Sequence, residues 1–297
     1  MGSYGRKQLI MKIGFIGLGI MGESMCANII QKHDDKVYVF DFVEAQIKKM
    51  EALGAVACKS SLEVAQNVDV IISMVPKSEN SQSVYQEVMP ALKKGMTCID
   101  MSTIDPSVSV AISEEVKKTG AEFIDAPVVK SKPAAIAGKL GIYVGGSEEA
   151  YQAMLPILSY MGENVIRMGD NGKGLVMKIC HNALVSQMQN GVNETSTLAA
   201  KCGIDIMTFA QAISYGGGQN FYLDSKKQSI QEENWTPAFS ILNMNKDVKI
   251  CLKLAEEQHF PMPGEENVSR VYDEAVKEGL TKEDFCATVK VVRSRTK

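Results

Sequence analysis

Lys178 and Asn182 stand four residues apart in "GKGLVMKICHNAL". On a helix that spacing places both side chains on one face, one turn apart. A lysine ammonium can donate a proton to a carbonyl oxygen and stabilise the alkoxide that forms, and its neutral form can take the proton back. An amide one turn away can hold the same hydroxyl, or a carboxylate. Taken alone, Lys-x-x-x-Asn reads equally well as a solvated polar stripe. Whether it does chemistry depends on what lies beside it.

Upstream, the apolar run "KIGFIGLG" leads directly into "GLGIMG", with Gly17, Gly19 and Gly22 in G-x-G-x-x-G spacing. The first glycine permits a tight turn, the second lets backbone approach a pyrophosphate, and the third allows close packing of helix on strand. The helix start that follows offers N–H groups and a positive dipole end to phosphate, so Leu18, Ile20 and Met21 join the glycines as cofactor-binding candidates. Asp41 closes the next apolar run, where a carboxylate binds ribose hydroxyls. Its charge opposes a 2′-phosphate, and no arginine follows in "DFVEAQ". NAD is the expected cofactor, in preference to NADP.

Short apolar runs at 12–19, 36–41, 55–59, 69–75, 97–102, 122–128, 140–146 and 164–169 read as strands. Helical patterns at 43–53, 78–90 and 105–119 separate several of them, which predicts an α/β fold with a doubly wound parallel (Rossmann) sheet. From Lys173 to Cys202 no proline occurs. A helix of that length spans ~45 Å at ~1.5 Å per residue, too long to flank a sheet. It is expected to link two domains: residues 11–171 binding NAD, and 172–297, all-α, serving substrate and self-association. Further helices are expected at 205–213, 246–258, 265–278 and 283–292.

A net charge of −3 gives no reason to expect nucleic acid or an anionic membrane as partner. No apolar run approaches the ~18 residues of a membrane span. Seven scattered cysteines without C-x-x-C fit reduced thiols in the cytoplasm, and the three histidines lack metal-ligand spacing, so no metal is expected. Met11 reads as a second start, leaving residues 1–10 as an extension.

The stretch "GFIGLGIMGESMCANI", with Met25 and Asn28 after Gly22, resembles the opening of the β-hydroxyacid dehydrogenase family, which includes 3-hydroxyisobutyrate dehydrogenases and tartronate semialdehyde reductases. The resemblance continues through "MVPKSEN", "DMSTIDP", "GKGLVMKICHNAL" and "FSILNMNKDVKICL". It implies an NAD-dependent oxidoreductase acting on a small anionic 3-hydroxy acid or its aldehyde, usually dimeric or tetrameric. Lys178 becomes the catalytic lysine and Asn182 its partner amide. Val75, Pro76, Asn80, Thr103 and Lys246 fall at cofactor positions, Ser102 and Asp247 at substrate positions. Desolvation and the nearby cation of Lys246 are expected to push the Lys178 pKa down. His181, where the family more often has another Asn, is left outside this set. A nucleotide-binding scaffold without activity would have lost the lysine or the amide, and this chain has both.

One motif departs. In "DAPVVKSKPAAIAGKL" the family's Ser-Gly-Gly, whose backbone grips the substrate carboxylate, is replaced by Val129, Lys130 and Ser131. A surface loop with exposed lysines is one reading. A side-chain anion site is the other, and it is similar to members acting on 3-sulfolactaldehyde. 3-Sulfolactaldehyde reduction is therefore the leading specific expectation, beside 3-hydroxyisobutyrate and tartronate semialdehyde.

Overall fold

The computed structural model describes residues 11–295. The expected extension at residues 1–10 lies outside the described residues. The chain packs as two compact units that divide between Lys178 and Ile179.

In the first unit strands and helices alternate: β1 (Ile13–Ile16), α1 (Ile20–Lys32), β2 (Val37–Phe40), α2 (Glu44–Ala52), β3 (Val56–Ala57), α3 (Ser61–Asn67), β4 (Val70–Ser73) and α4 (Ser78–Val88). Then come β5 (Thr97–Asp100), α5 (Pro106–Lys118), β6 (Glu122–Asp125), β7 (Val128–Val129), α6 (Lys132–Ile136), β8 (Leu140–Gly145), α7 (Glu148–Leu158) and β9 (Gly162–Gly169). Strands β3-β2-β1-β4-β5-β6 lie side by side and parallel. The order reverses about β1, which puts a topological switch point beside its carboxyl end, where open α/β sheets bind ligands.

The sheet is not parallel throughout. Ala126 and Pro127 separate β6 from β7, and β8 pairs antiparallel with both before taking β9 as a parallel neighbour. The eight expected strand regions are all present, and the 122–128 run is two short strands rather than one.

Alternation along each strand fills both faces. Ile13, Phe15, Val70, Ile72, Ile99 and Ile124 enter one core, while Ile16, Ile71, Cys98 and Phe123 enter the other. Burial on both faces is why these strands read as unbroken apolar runs. Helix starts follow local capping: Ser60, Asp105 and Ser147 each accept a backbone N–H from the first turn of α3, α5 and α7.

Helix α8 (Lys173–Lys201) runs through the division between the units. Beyond it the chain is helical: α9 (Ile206–Ile213), α10 (Phe221–Gln231), α11 (Ile241–Glu257), α12 (Pro263–Lys277) and α13 (Val289–Ser294). α11 begins at a Ser240 cap, earlier than expected, and α10 was not expected at all. The expected helix at 283–292 is a 3₁₀ turn at Phe285–Thr288 followed by α13. Asp284 explains the break, because its carboxylate accepts N–H bonds from Ala238, Phe239 and Cys286 and pairs with Lys226.

The helical unit buries an apolar core of its own around Tyr222, Met244, Val268 and Tyr272. It also buries Glu265, in the first turn of α12, against the Ser186 hydroxyl and Gln187 amide of α8. Burial raises the Glu265 carboxyl to about 7. A carboxyl raised on folding costs stability once pH passes its unfolded value, and the whole cost is reached above its folded value. Glu265→Gln is therefore expected to raise Tm clearly at pH 8, by an equivalent of at most ~3 kcal/mol at ~1.36 kcal/mol per unit. Little change is expected at pH 4.5. Thermal denaturation of both proteins across that range checks the sign.

Candidate active site

The carboxyl edge of the sheet is built by strand-terminal polar residues. β1 ends in a turn whose first residue, Gly17, has φ +94° and donates its N–H to the Phe40 carbonyl at 3.0 Å. A Cβ there would collide with the Met74 carbonyl oxygen, and one at Gly22 would collide with the Gly17 carbonyl. Gly19 has the opposite environment, since a Cβ at that position meets nothing within 4 Å. The first and third glycines are thus required by packing, and the second opens the backbone to an approaching group. α1 starts at Gly19 without a side-chain cap, leaving first-turn N–H groups at Ile20, Met21 and Gly22 for an anion. This cradle fits the pyrophosphate of a dinucleotide.

Asp41 is fixed just beyond β2. Its Oδ2 accepts the Leu18 N–H at 2.6 Å and its Oδ1 accepts the Val43 N–H at 2.7 Å. The carboxylate is therefore held against the glycine turn, where ribose hydroxyls would meet it.

Across the switch point, the loops after β4 and β5 are tied together by Ser102. Its hydroxyl accepts the Val75 N–H at 2.8 Å, while its own N–H donates to Asp100 at 3.0 Å. Ser102 is fully buried. In the structure Ser102 thus ties the two loops together. Val75 and Thr103 sit half-buried and Pro76 exposed on the two loops it joins, and Asn80 lies in the first turn of α4.

Val129 is buried in β7 and pairs with Gly141. Lys130 has φ +76°, a conformation that favours glycine, and Ser131 begins α6. The Lys130 ammonium turns to Glu163 at 2.9 Å and to the Lys139 carbonyl at 2.8 Å. That ion pair lowers the Glu163 carboxyl below its ordinary range. Lys130 is therefore a partnered cation.

On α8, Lys178 and Asn182 are both buried, which removes the solvated-stripe reading. Asn182 donates its side-chain N–H to Asp247 Oδ2 at 2.6 Å, and Lys246 pairs with Asp247 Oδ1 at 3.3 Å. The buried Asp247 carboxylate thus fixes the Asn182 amide, with nitrogen toward α11 and oxygen away. The structure joins Asn182 to Asp247 by a hydrogen bond and Lys246 to Asp247 by an ion pair. In the first unit it joins the glycine turn to Asp41 and Val75 to Ser102.

Asp125 is absent from the residues predicted above. It ends β6, is fully buried, and accepts the Gly172 N–H at 2.7 Å and the Leu175 N–H at 2.9 Å. The available signal was an acid closing an apolar strand, with small residues in "NGKG" where α8 begins. Among the described residues no group of His, Cys, Asp or Glu could hold a metal ion, and no helix is long and apolar enough to cross a membrane.

This geometry, a glycine cradle with a fixed ribose-side carboxylate and a buried lysine–amide pair, defines a dinucleotide-dependent oxidoreductase. Residues 12–169 match the NAD binding domain of 6-phosphogluconate dehydrogenase, and residues 172–292 match the NAD-binding domain of NADP-dependent 3-hydroxyisobutyrate dehydrogenase. The mitochondrial 3-hydroxyisobutyrate dehydrogenase of Rattus norvegicus is 33% identical over 95% of this chain and 87% of its own. The 2-(hydroxymethyl)glutarate dehydrogenase of Eubacterium barkeri is 31% identical over 96% of each chain. The 3-hydroxyisobutyrate dehydrogenase of Mycobacterium tuberculosis, solved with L-serine, superposes with a TM-score of 0.90 at 26% identity, over 96% of this chain and 100% of its own. The chain belongs to the β-hydroxyacid dehydrogenase family, oxidoreductases that use a nicotinamide dinucleotide on hydroxyl or aldehyde groups.

Gly17→Ala is expected to abolish dinucleotide binding, because φ +94° and the Met74 carbonyl both exclude a Cβ. Gly19→Ala is expected to weaken binding while leaving Tm without cofactor unchanged. Calorimetric titration with NADH, alongside Tm of each variant, separates the two.

Proposed function

We propose that the protein interconverts a small 3-hydroxy acid and its semialdehyde with NAD as the preferred cofactor. The observation that carries this reading is the burial of Lys178 and Asn182 on one face of α8, with Asn182 oriented by Asp247. The dinucleotide, when bound, supplies or accepts the hydride at its nicotinamide ring. The protein's part is proton transfer and charge. In reduction, the Lys178 ammonium donates its proton to the carbonyl oxygen and stabilises the oxyanion as charge develops. In oxidation, the neutral amine takes the hydroxyl proton. Asn182, fixed through its nitrogen by Asp247, holds the substrate oxygen by hydrogen bonding and limits its orientations.

Cofactor choice follows from Asp41. Both its oxygens are committed to N–H groups of the glycine turn and its own loop, so the charge cannot swing away from a 2′-phosphate. Carboxylate substrates suit the loop at residues 129–131, because Lys130 keeps a glycine-like backbone and its charge is balanced by Glu163. A relative from Arabidopsis thaliana, 29% identical, carries the name glyoxylate/succinic semialdehyde reductase, which supports an anionic aldehyde as one face of the reaction. The second reading is 3-sulfolactaldehyde. It rests on Lys130 and Ser131 standing side by side in this loop, and it requires the Lys130 ammonium to leave Glu163 for the sulfonate.

Three measurements test these statements. NADH at ~100 times its Kd is expected to stabilise the protein by ~2.7 kcal/mol, with NADPH giving a much smaller shift at equal concentration. Equal shifts would defeat the Asp41 argument. Lys178→Ala is expected to lower kcat by ~100-fold or more with NADH affinity retained, as loss of a general acid does. Near-normal turnover would remove the lysine from the chemistry. For substrate, kcat/KM should be compared for succinic semialdehyde, tartronate semialdehyde and 3-sulfolactaldehyde in wild type, Lys130→Ala and Glu163→Gln. Carboxylates are expected to lead, with both variants altering them alike. A selective loss of 3-sulfolactaldehyde turnover in Lys130→Ala would establish the sulfonate reading instead.

A further inference from the structure

We propose that Asp125 is a positioning residue for this reaction: its carboxylate locks the first turns of α8 to the end of β6 and so fixes where Lys178 projects. The inference rests on Lys178 as the proton-transferring group. Its structural basis is independent of that assignment.

Asp125 Oδ1 accepts the N–H of Gly172, the residue before α8, and Oδ2 accepts the N–H of Leu175 in its first turn. Lys178 follows Leu175 by three residues, almost one turn, so a shift of this clamp passes directly into the lysine's position. The fit around the carboxylate is close on two sides. A Cβ at Gly174 would lie 2.9 Å from Asp125 Oδ2, and a Cβ at Gly145 would collide with Oδ1. Gly145 on β8 thus makes room for the carboxylate, and Gly174 on α8 lets the helix pass both the carboxylate and the Tyr143 carbonyl, which a Cβ would meet at 2.5 Å. A negative charge at a helix N-terminus meets both orphan N–H groups and the positive end of the dipole. An amide or a protonated acid cannot do the same, since one of its two positions becomes a donor facing an N–H.

Burial raises the Asp125 carboxyl to about 6, and the nearby charge of Asp100 at the end of β5 adds to the rise. The groups that meet its two oxygens are uncharged: backbone N–H groups of Gly172 and Leu175, and the glycines Gly174 of α8 and Gly145 of β8. Above its pKa the clamp is intact, and protonation below it removes one acceptor. The direction of the assay then separates Asp125 from the lysine. In aldehyde reduction Lys178 must carry its proton, so acidification leaves it loaded and an acid-side loss of kcat has to come from elsewhere.

The test uses NADH with succinic semialdehyde, or whichever semialdehyde the panel shows to be turned over. In wild type, kcat is expected to fall on the acid side with a midpoint near pH 6. Glu265→Gln should keep that limb. Asp125→Asn should lose the limb and lower kcat at pH 7.5 by about 10- to 100-fold, the scale of an ångström-sized misplacement, with NADH Kd within about twofold. Asp125→Asn with kcat within about twofold of wild type, or with NADH affinity falling in step with kcat, overturns the proposal. Should that variant fail to fold, hydrogen exchange in the wild type decides. Protection of the Gly172 and Leu175 amides, corrected for intrinsic exchange, should drop between pH 7.5 and 5 more than in the rest of α8. Unchanged protection overturns the clamp. The two claims separate cleanly: Lys178→Ala with full kcat defeats the chemistry, whereas unchanged amide protection defeats the clamp.

Discussion

Where a parallel strand ends, its backbone groups lose their sheet partners, and the chain must satisfy the polar groups of whatever comes next. Here the solution is a carboxylate at or just after the strand end, used three times. Asp41 after β2 accepts the N–H groups of Leu18 and Val43. Asp100 at the end of β5 accepts the Ser102 N–H and the Ser73 hydroxyl. Asp125 at the end of β6 accepts the N–H groups of Gly172 and Leu175. Each ties a neighbouring loop or helix start to the sheet, and every candidate cofactor residue of the first unit lies on a segment so tied or next to one. A buried carboxylate is costly unless hydrogen-bonded, so these three positions leave the loops few alternative arrangements.

The same constraint sets the electrostatics. Asp100 and Asp125 are fully buried, and burial raises both carboxyls. Hydrogen bonds from backbone N–H groups pull in the opposite direction at both positions. Asp41 differs because it is only half-buried, and the charge it presents is available to a ligand. One residue type at three strand ends therefore serves two purposes, fixing backbone at β5 and β6 and presenting a carboxylate beside the glycine turn after β2. Asp247 repeats the logic in the helical unit, where a buried carboxylate orients the Asn182 amide.

Much of this was legible in the sequence because it has a short-range signature. The glycine turn, the eight strand regions and the long uninterrupted α8 follow from steric rules and apolar runs that act locally. α10 escaped notice although Asn220 caps it, since the preceding "YGGGQN" reads as loop and masks the cap. The 283–292 segment misled for the opposite reason: its pattern is helical, but Asp284 accepts N–H bonds from a distant loop and breaks the helix. Asp125 was invisible as a functional residue because its partners lie 47 and 50 positions away. Only the fold brings a strand end and a helix start together, and no local pattern announces it.

Lys130 shows how a substitution that looks chemical in sequence also has a conformational side in space. The family places glycine there, and φ +76° explains why, since a side chain in that region costs on the order of 1–3 kcal/mol. The ion pair to Glu163 is exposed and screened by water, so strain is not fully offset by the contact alone. A loop that keeps this backbone despite the cost is held by its surroundings: Val129 paired to Gly141 on one side and α6 on the other. The backbone donors that grip a carboxylate in the family can then persist beneath a lysine whose head group is led away. What the lysine changes is the rim, where it adds bulk and a compensated charge. An anion that uses only the backbone leaves the Lys130–Glu163 pair intact, whereas one that recruits the ammonium must first displace Glu163.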